Sequence, residues 1–545
     1  MTTRALVEAA LVGTARQADR ALAALAVALP VDELLASTGD AMPLERRLLL
    51  AAAVNDAYAR AGRAATSGVA TIAPAPGEAR PVCGPAAASL IGELIAPRPR
   101  HLLREALERL DAAGAIVAPS LLPELLDTRD ELLATVLPRV IGERGRWLAT
   151  LTGDGDWMVV DTPDDEEASR LWNEGPHARR VAVLRARRRT DPAAARTWLA
   201  ESWTGESAEH RAQLLATLEE SLGADDAPFL DDAQTDRSVV VRSTAARLLA
   251  RLPESEAARR FAARADAMLD FESPTRATGV RARLAKAIGL GDAGTLIVRP
   301  PDAFDASWER DGLTAKPPKG VGERAHWLVQ SLALVRPAHW QERFGASPSD
   351  LIRAARATDW SFALMQGWSL ATLFTGDAAW ATALWDSWRE LKFDDKSAAH
   401  EVAARGTMLL QLHGHLPRAE AESRVLQFMS RPLGELPFGL GALLDVVPRP
   451  WTAEFGVRFL ARLREQLTAA ASAAQWTSGI WFETLTPVAL ALAPESFSDA
   501  LDLERRIGEI DTLPPAYRRK LDELRDTIRL RHRIHQEIRV EPARR

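Results

Sequence analysis

Residues 236–253 read DRSVVVRSTAARLLARLP, and this stretch decides the fold class. Its apolar side chains recur with the spacing of one face of an α-helix. Asp236 stands just before this helix, where we expect it to cap the first turn and to bond Arg242 in a ladder between repeats. Ala245 is small enough to let a neighbouring helix approach closely. The stretch therefore predicts a helix with one buried stripe, formed by Val241, Ala245, Leu248, Leu249 and Leu252.

Similar helical runs recur at a spacing of about 31 residues between 177 and 290. Arg180, Arg211 and Arg242 each open such a run, and a period of this size is typical of stacked helix pairs. The stretch 236–253 resembles the second helix of a HEAT repeat. We therefore predict an all-α protein, a HEAT/armadillo-like helical-hairpin solenoid with flanking helical domains.

Two irregular stretches interrupt the helical pattern. Seven acidic residues fall between 154 and 167 without a basic neighbour. Prolines and glycines are concentrated in 291–325, where Leu296-Ile297-Val298 predicts a short extended piece. The predicted segments are an N-terminal helical domain (1–151), an acidic loop segment (152–176), HEAT-like helical repeats (177–290), a Pro/Gly-rich connector (291–325) and a C-terminal helical domain (326–545).

Charge and cysteine content narrow the classes of function. The formal net charge is −6 and the pI is about 6.0. Because the basic excess of many nucleic-acid-binding domains is missing, nucleic acid is not expected as a partner. Cys83 is the single cysteine, which excludes a disulfide within the chain and a multi-cysteine zinc site. Glu8 interrupts the first apolar run and the apolar stretch 21–31 is too short to span a bilayer, so we expect a cytoplasmic protein without a membrane partner.

Four segments carry charges or aromatic rings in patterns suited to contact with another protein. They are the acidic segment 154–167, the arginine-rich helix 179–189, the connector 308–324 and the basic C-terminal helix. For the first two, the simpler interpretation is that the arginines neutralise the neighbouring acids. The candidate partner-binding residues are Arg179, Arg180, Arg185, Arg188, Trp157, Trp308, Arg310, Asp311, Lys316 and Lys319.

The remaining motifs do not predict a catalytic or cofactor site. The His-Gly-His stretch at 413–415 fits a turn between helices, and His532 and His535 are expected to face solvent or a partner. Segment 316–324 precedes a helix and carries Lys and Gly, but it lacks the Gly-Lys-Ser/Thr ending of a Walker A loop. An ordered connector is the simpler interpretation, with anion binding as the alternative. We therefore predict no catalytic residue, no cofactor and no metal ligand.

Tryptophan is frequent, with sixteen in the chain, and eleven of these lie in the second half. We expect most of them to fill the gaps between helix pairs. The alternative is an exposed aromatic groove, because tryptophan is enriched at interaction hot spots.

Three stretches resemble a bacterial family of uncharacterised helical-repeat proteins. They are Leu11-Val12-Gly13-Thr14-Ala15-Arg16, the run 180–253, and the run 308–325, which includes Trp-Glu-Arg-Asp-Gly and Lys-Pro-Pro. The similarity covers most of the chain and is best between about 140 and 345. Members of that family are typically encoded beside a MoxR-type AAA+ ATPase, a von Willebrand factor A domain protein and a SWIM zinc-finger protein. The resemblance implies a part in an ATPase-driven system, with one of the first two proteins as partner, and it implies no catalytic residue.

Together these features predict a non-enzymatic scaffold or adaptor that mediates protein–protein interaction. The alternative is a HEAT-like nucleic-acid-binding protein or DNA glycosylase. That alternative predicts that arginines such as Arg185, Arg188 and Arg242 converge on one concave face beside an unpaired aspartate.

Overall fold

The computed structural model describes most of the chain from residue 72 onward and only single positions before it. The chain divides into two compact units, 1–74 and 75–545, and the elements described below belong to the second. Every helix within the described residues is too short or too polar to cross a membrane. The continuous described ranges are 72–95, 100–153, 165–273, 294–391, 399–429, 440–472 and 480–540.

The protein is essentially all-α, as the sequence predicts, and its described residues include one small sheet. Helices before the sheet are α1 Pro85–Ile95, α2 Arg100–Ala112, α3 Leu122–Asp127, α4 Leu137–Val140, α5 Gly142–Thr152, α6 Asp165–Glu174, α7 His177–Thr190, α8 Pro192–Ser202, α9 Ala208–Ala216, α10 Ala227–Ala233, α11 Val239–Leu249 and α12 Glu256–Asp266. Those after it are α13 Glu323–Ala333, α14 Pro337–Phe344, α15 Pro348–Arg356, α16 Ser361–Thr375, α17 Ala378–Glu390, α18 Ala399–His413, α19 Arg418–Met429, α20 Leu440–Asp445, α21 Ala453–Ser472, α22 Ile480–Glu483, α23 Leu485–Ala491, α24 Phe497–Gly508 and α25 Pro515–Glu537.

The helix predicted from 236–253 is α11, and Val241, Ala245, Leu248 and Leu249 of the predicted stripe are buried, whereas Leu252 lies beyond the helix and is half-buried. Asp236 bonds both Arg242 and an arginine of the preceding unit, but it uses different atoms for the two contacts. The Asp236 carboxylate accepts from the Ser238 amide at 2.8 Å and pairs with Arg211 Nε at 2.8 Å. Arg242 instead donates to the backbone carbonyl of Asp236 at 2.8 Å. The carboxylate of Asp236 is therefore paired with Arg211 of the preceding unit, and Arg242 of its own unit reaches only the backbone.

Many helices pack on partners that lie close to them in the chain. Helix α7 contacts α8 and α9, α11 contacts α9 and α10, and α16 contacts α13, α15 and α17. Local packing of this kind agrees with helical hairpins, whereas a regular HEAT/armadillo-like solenoid stays a prediction.

The sheet consists of two antiparallel strands, β1 Leu269–Glu272 and β2 Thr295–Val298. Leu269 pairs with Val298 at one end and Glu272 with Thr295 at the other. Strand β2 confirms the extended piece predicted at 296–298. Its partner β1 was not predicted and falls inside the segment assigned to helical repeats.

Helix α6 corrects part of the predicted acidic loop. Residues 165–174 are helical, because acidic side chains at the first turn interact favourably with the helix dipole and the following residues are amphipathic. Trp172 is buried in the adjoining core. Asp165 Oδ1 lies 2.5 Å from Arg187 Nη1, as expected if the arginine helix neutralises this acid. Trp157 lies outside the described residues.

Most of the described tryptophans are buried in the core, as predicted. Trp340, Trp368, Trp380, Trp388 and Trp451 are fully or almost fully buried. Trp368 and Trp380 meet edge to face with ring centroids 5.2 Å apart. Trp476 and the side chain of Trp481 lie outside the described residues.

The C-terminal helix α25 packs on α1 and α2 near the start of the described unit. Ile534 and Ile538 enter the same apolar core as Leu103 and Leu107. The prediction that His535 faces solvent or a partner is wrong, because its Nε2 lies 3.0 Å from Glu105 Oε1. The basic C-terminal helix therefore uses part of its charge within the fold.

Candidate functional site

Arg188 is the most deeply buried of the predicted partner-binding residues that the structure describes. Its guanidinium forms a two-point ion pair with Asp226, with Nη1–Oδ1 and Nη2–Oδ2 distances of 3.0 and 2.8 Å. Burial alone would raise the pKa of the Asp226 carboxyl, but hydrogen bonds from Arg188 and neighbouring donors outweigh it and hold that pKa below its usual value. A partner would not reach Arg188 without opening this cluster. The guanidinium also donates to the carbonyls of Pro192, Leu218, Glu220 and Ser221.

The other predicted arginines of α7 have different surroundings. Arg185 is exposed and Arg179 is half-buried. Arg180 lies over Trp172, with its guanidinium carbon 4.5 Å from the ring centroid, and pairs with Glu206. A partner could therefore reach Arg185 most readily.

Asp311, predicted as a contact residue of the connector, is 2% exposed and binds two arginines of α12. Its Oδ1 lies 2.7 Å from Arg260 Nη2, and its Oδ2 lies 2.6 Å from Arg264 Nη1. Gln234 Nε2 also points to Oδ1, at 3.4 Å. Asp311 therefore attaches the connector to the helices before it.

Gly312 and Arg242 complete this attachment. Gly312 has a φ of +76°, and a Cβ there would lie 2.5 Å from the backbone nitrogen of Ser243. Arg242 Nε donates to the carbonyl of Glu309 at 2.6 Å. The connector thus lies directly on α11, and this close approach requires glycine.

Three of the predicted connector residues remain at the surface. Arg310, Lys316 and Lys319 are exposed, whereas Trp308 is half-buried with Arg264 5.5 Å from its ring. The connector therefore exposes positive charge to solvent, whereas Asp311 and Trp308 contact residues of the preceding helices.

An arginine-lined depression lies beside the residues that follow α11, α13 and α16. It consists of two cavities of about 310 and 330 Å³, both of which include Arg336 in their lining. We call the two together the arginine groove. Its lining residues are Ala250, Arg251, Pro253, Ala258, Arg259, Ala262, Ala263, Asp266, Leu334, Val335, Arg336, Pro337, Ala338, His339, Thr375 and Asp377.

The acidic residues of the arginine groove are already engaged. Asp266 Oδ1 lies 2.8 Å from His339 Nε2 and 2.6 Å from Arg343 Nη1. Burial would raise the pKa of Asp266, but these two neighbours outweigh it and hold the pKa below its usual value. Asp377 accepts from the first amides of α17. The arginines Arg251, Arg259 and Arg336 therefore dominate the charge offered to a ligand.

A second cluster lies at the starts of α7 and α9 and contains His177, Glu206 and His210. Their ligand-type atoms all lie within 4.8 Å of one another. The two imidazole rings stack with centroids 3.7 Å apart. Among the described residues, these are the side chains best placed to hold a metal ion.

Neither the arginine groove nor this cluster was predicted. Glu206 and His210 stand four residues apart, a spacing that can bring two side chains together, but His177 lies 29 residues before Glu206. The groove residues come from separate turns. The only available signal was therefore the Glu-x-x-x-His spacing, which by itself is too common to predict a site.

Comparison with known proteins gives one match. No curated protein and no solved structure matches the chain. A protein-family model matches residues 5–538, nearly the whole length. The chain therefore belongs to the family of unknown function DUF5691.

Proposed function

We propose that this protein is a non-enzymatic helical-repeat scaffold that binds an acidic segment of a protein partner in the arginine groove. The observation that carries the proposal is the convergence of Arg251, Arg259 and Arg336 on adjoining cavities with partly apolar walls. The family resemblance suggests the partner, a MoxR-type AAA+ ATPase or a von Willebrand factor A domain protein. The scaffold would then serve an ATPase-driven system in the cytoplasm.

Two of these arginines are poorly neutralised within the protein. Exposed Arg259 donates to the carbonyl of Glu254, and within the described residues it has no carboxylate partner. Arg336 Nη2 lies 3.4 Å from both oxygens of Glu342, a long contact between side chains that are 36% and 62% exposed. A carboxylate from a partner would gain charge-assisted hydrogen bonds here without displacing a buried ion pair.

The walls of the groove favour a protein segment over nucleic acid. Ala262, Leu334 and Val335 belong to its lining, and because Leu334 and Val335 are only 7% and 4% exposed, a peptide would meet a partly apolar wall of small area there. The DNA-binding alternative named Arg185, Arg188 and Arg242, but only Arg185 is exposed, because Arg188 and Arg242 bond Asp226 and backbone carbonyls within the fold. A protein partner therefore fits the described contacts better than a HEAT-like nucleic-acid cradle or a glycosylase.

The test measures binding between the purified full-length chain and each of the two proteins from the same genome. We expect one of them to bind, and the double charge reversal Arg259→Glu/Arg336→Glu to weaken binding by about tenfold or more. The matched control is Arg458→Glu/Arg462→Glu, which reverses two exposed helical arginines that have glutamates nearby on their own helix.

Equal loss of binding in the control and in the groove variant would show only a general effect of charge. The proposal fails if neither protein binds, or if binding is unchanged by reversal in the groove. Steeply salt-dependent binding of duplex DNA, abolished by the same reversal, would replace the scaffold by the nucleic-acid alternative.

A further inference from the structure

We propose that His177, Glu206 and His210 form a binding site for Zn²⁺. Two imidazole nitrogens and one carboxylate oxygen are a ligand set that suits this ion. The three residues come from the starts of two neighbouring helices, so one ion would link α7 to α9. This inference does not depend on the arginine groove, which lies on other elements.

His177 has the hydrogen-bonding pattern of a metal ligand. Its Nε2 lies 2.7 Å from Gln213 Oε1, which can only accept, so Nε2 carries the proton. The lone pair is then on Nδ1, which is buried and has no hydrogen-bond partner among the described residues. A histidine fixed by an acceptor on one nitrogen commonly presents the other to a metal.

The second and third ligands already have a suitable separation. His210 Nδ1 lies 3.4 Å from Glu206 Oε2. In a tetrahedral zinc site with ligand bonds of about 2.0–2.1 Å, two ligand atoms lie about 3.4 Å apart. The side chain of His210 is 44% exposed, so it can turn toward the buried Nδ1 of His177 without repacking a core.

Arg180 holds Glu206 in position and sets a limit on affinity. It pairs with Oε1 and leaves Oε2 directed at His210. Its positive charge also opposes a cation nearby, so we expect weaker binding than in a structural site with four protein ligands. The exposed side of His210 leaves room for water as the fourth ligand, which is the arrangement of an open zinc site.

The test uses the full-length chain, freed of metal by a chelator, and titrates Zn²⁺ in competition with a chromophoric chelator. We expect one Zn²⁺ per chain, and about tenfold or more weaker binding in His210→Ala and in His177→Ala. Co²⁺ in place of Zn²⁺ should give the visible d–d absorption of a four-coordinate site, and this band should be lost in both variants. The matched control is His101→Ala, which removes an exposed histidine from α2.

Gln213→Ala sharpens the result, because it removes the acceptor that orients His177 without removing a ligand. It should weaken binding by less than either histidine variant. If His177→Ala does not fold, as judged by circular dichroism, the exposed His210 decides the matter. Absence of stoichiometric Zn²⁺ binding, or binding equal in wild type and His210→Ala, overturns the proposal.

Discussion

Asp226 and Glu105 each hold a buried arginine, but they join very different parts of the chain. Asp226 binds Arg188, 38 residues away, between neighbouring helices of the central region. Glu105 binds Arg531, 426 residues away, and so ties α25 to α2. Arg531 Nε and Nη2 reach the two oxygens of Glu105 at 2.7 and 2.9 Å, and His535 adds a third contact.

The difference shows which contact depends on the rest of the fold. Closing a longer loop in an unfolded chain costs more entropy, and a loop about eleven times longer costs about 2 kcal/mol more. The Asp226 cluster can therefore form with its own neighbourhood, whereas the Glu105 contact requires the intervening helices to be in place. We infer that the central cluster is a local anchor and that the terminal contact forms on top of it.

The largest expected effect is that of Asp226→Ala. The substitution leaves Arg188 buried without its counter-charge, which costs about 3–5 kcal/mol of unfolding free energy. Urea denaturation followed by tryptophan fluorescence measures it. Glu219→Ala is the control, because it removes an exposed carboxylate that pairs with Arg251 in the same region, and we expect less than about 1 kcal/mol there. Equal losses in the two variants would contradict the role of Asp226 as an anchor.

The next largest effect is that of Glu105→Ala, which we expect to lower the free energy of unfolding by about 3 kcal/mol. Its side chain is 21% exposed, against 2% for Asp226, so water can partly replace the lost contact. Hydrogen exchange should become faster in α25 while α7 to α11 stay protected. Glu93→Ala is the control, since Glu93 pairs with Arg533 of the same helix in a more exposed position. Uniformly faster exchange over the whole unit would show that the terminal contact is not separable from the centre.

The smallest expected effect is the loss of stability at acidic pH that is caused by His413. Burial lowers the pKa of His413 to about 4, and Arg424 adds to this. Because the unfolded histidine binds its proton near pH 6.5, the unfolded state takes up more protons between pH 6.5 and 4, and stability falls as the pH falls. Between pH 7 and pH 5 this amounts to about 2 kcal/mol. His413→Gln should remove that dependence, as measured by urea denaturation at the two pH values, and His415→Gln should keep it.

Denaturation at pH 7 and pH 5 also distinguishes the effect of His413 from the effects of Glu105 and Asp226. Burial would raise the pKa of Glu105, but His535 and Arg531 outweigh it and lower the pKa, as Arg188 does for Asp226. A lowered carboxyl pKa gives stability that is lost as the pH falls from the usual carboxyl pKa to the lower folded value, and this window lies below about pH 5. If His413→Gln kept the full dependence between pH 7 and 5, another group would have to be its source.

Helical structure was predictable because its cause is local. The apolar stripe of α11, from Val241 to Leu249, follows from a periodicity that any neighbouring helix can bury. The tryptophans were predictable for a similar reason, since large apolar side chains gain most from burial. Strand β2 was visible as an apolar run, whereas β1 was not, because its pairing depends on a segment more than twenty residues away.

The fate of the charged residues was not predictable in this way. Arg185 and Arg188 lie on the same helix, yet one is exposed and the other fully buried. Asp311 reads as a surface acid in an irregular connector, yet it binds two arginines below it. An ion pair depends on which side chains are neighbours in the folded protein, and the local sequence around a charged residue does not show this.

The sequence alone therefore determined that this protein is essentially α-helical, that residues 296–298 are extended and that most of the described tryptophans are buried. Only the tertiary structure decided which arginines are buried, that α25 returns to α2, and that His177 meets Glu206 and His210. Helix periodicity is fixed by residues within a few turns of one another. Burial of charge and the assembly of a site depend on elements that are distant in the chain, and their meeting is settled only when the whole core packs.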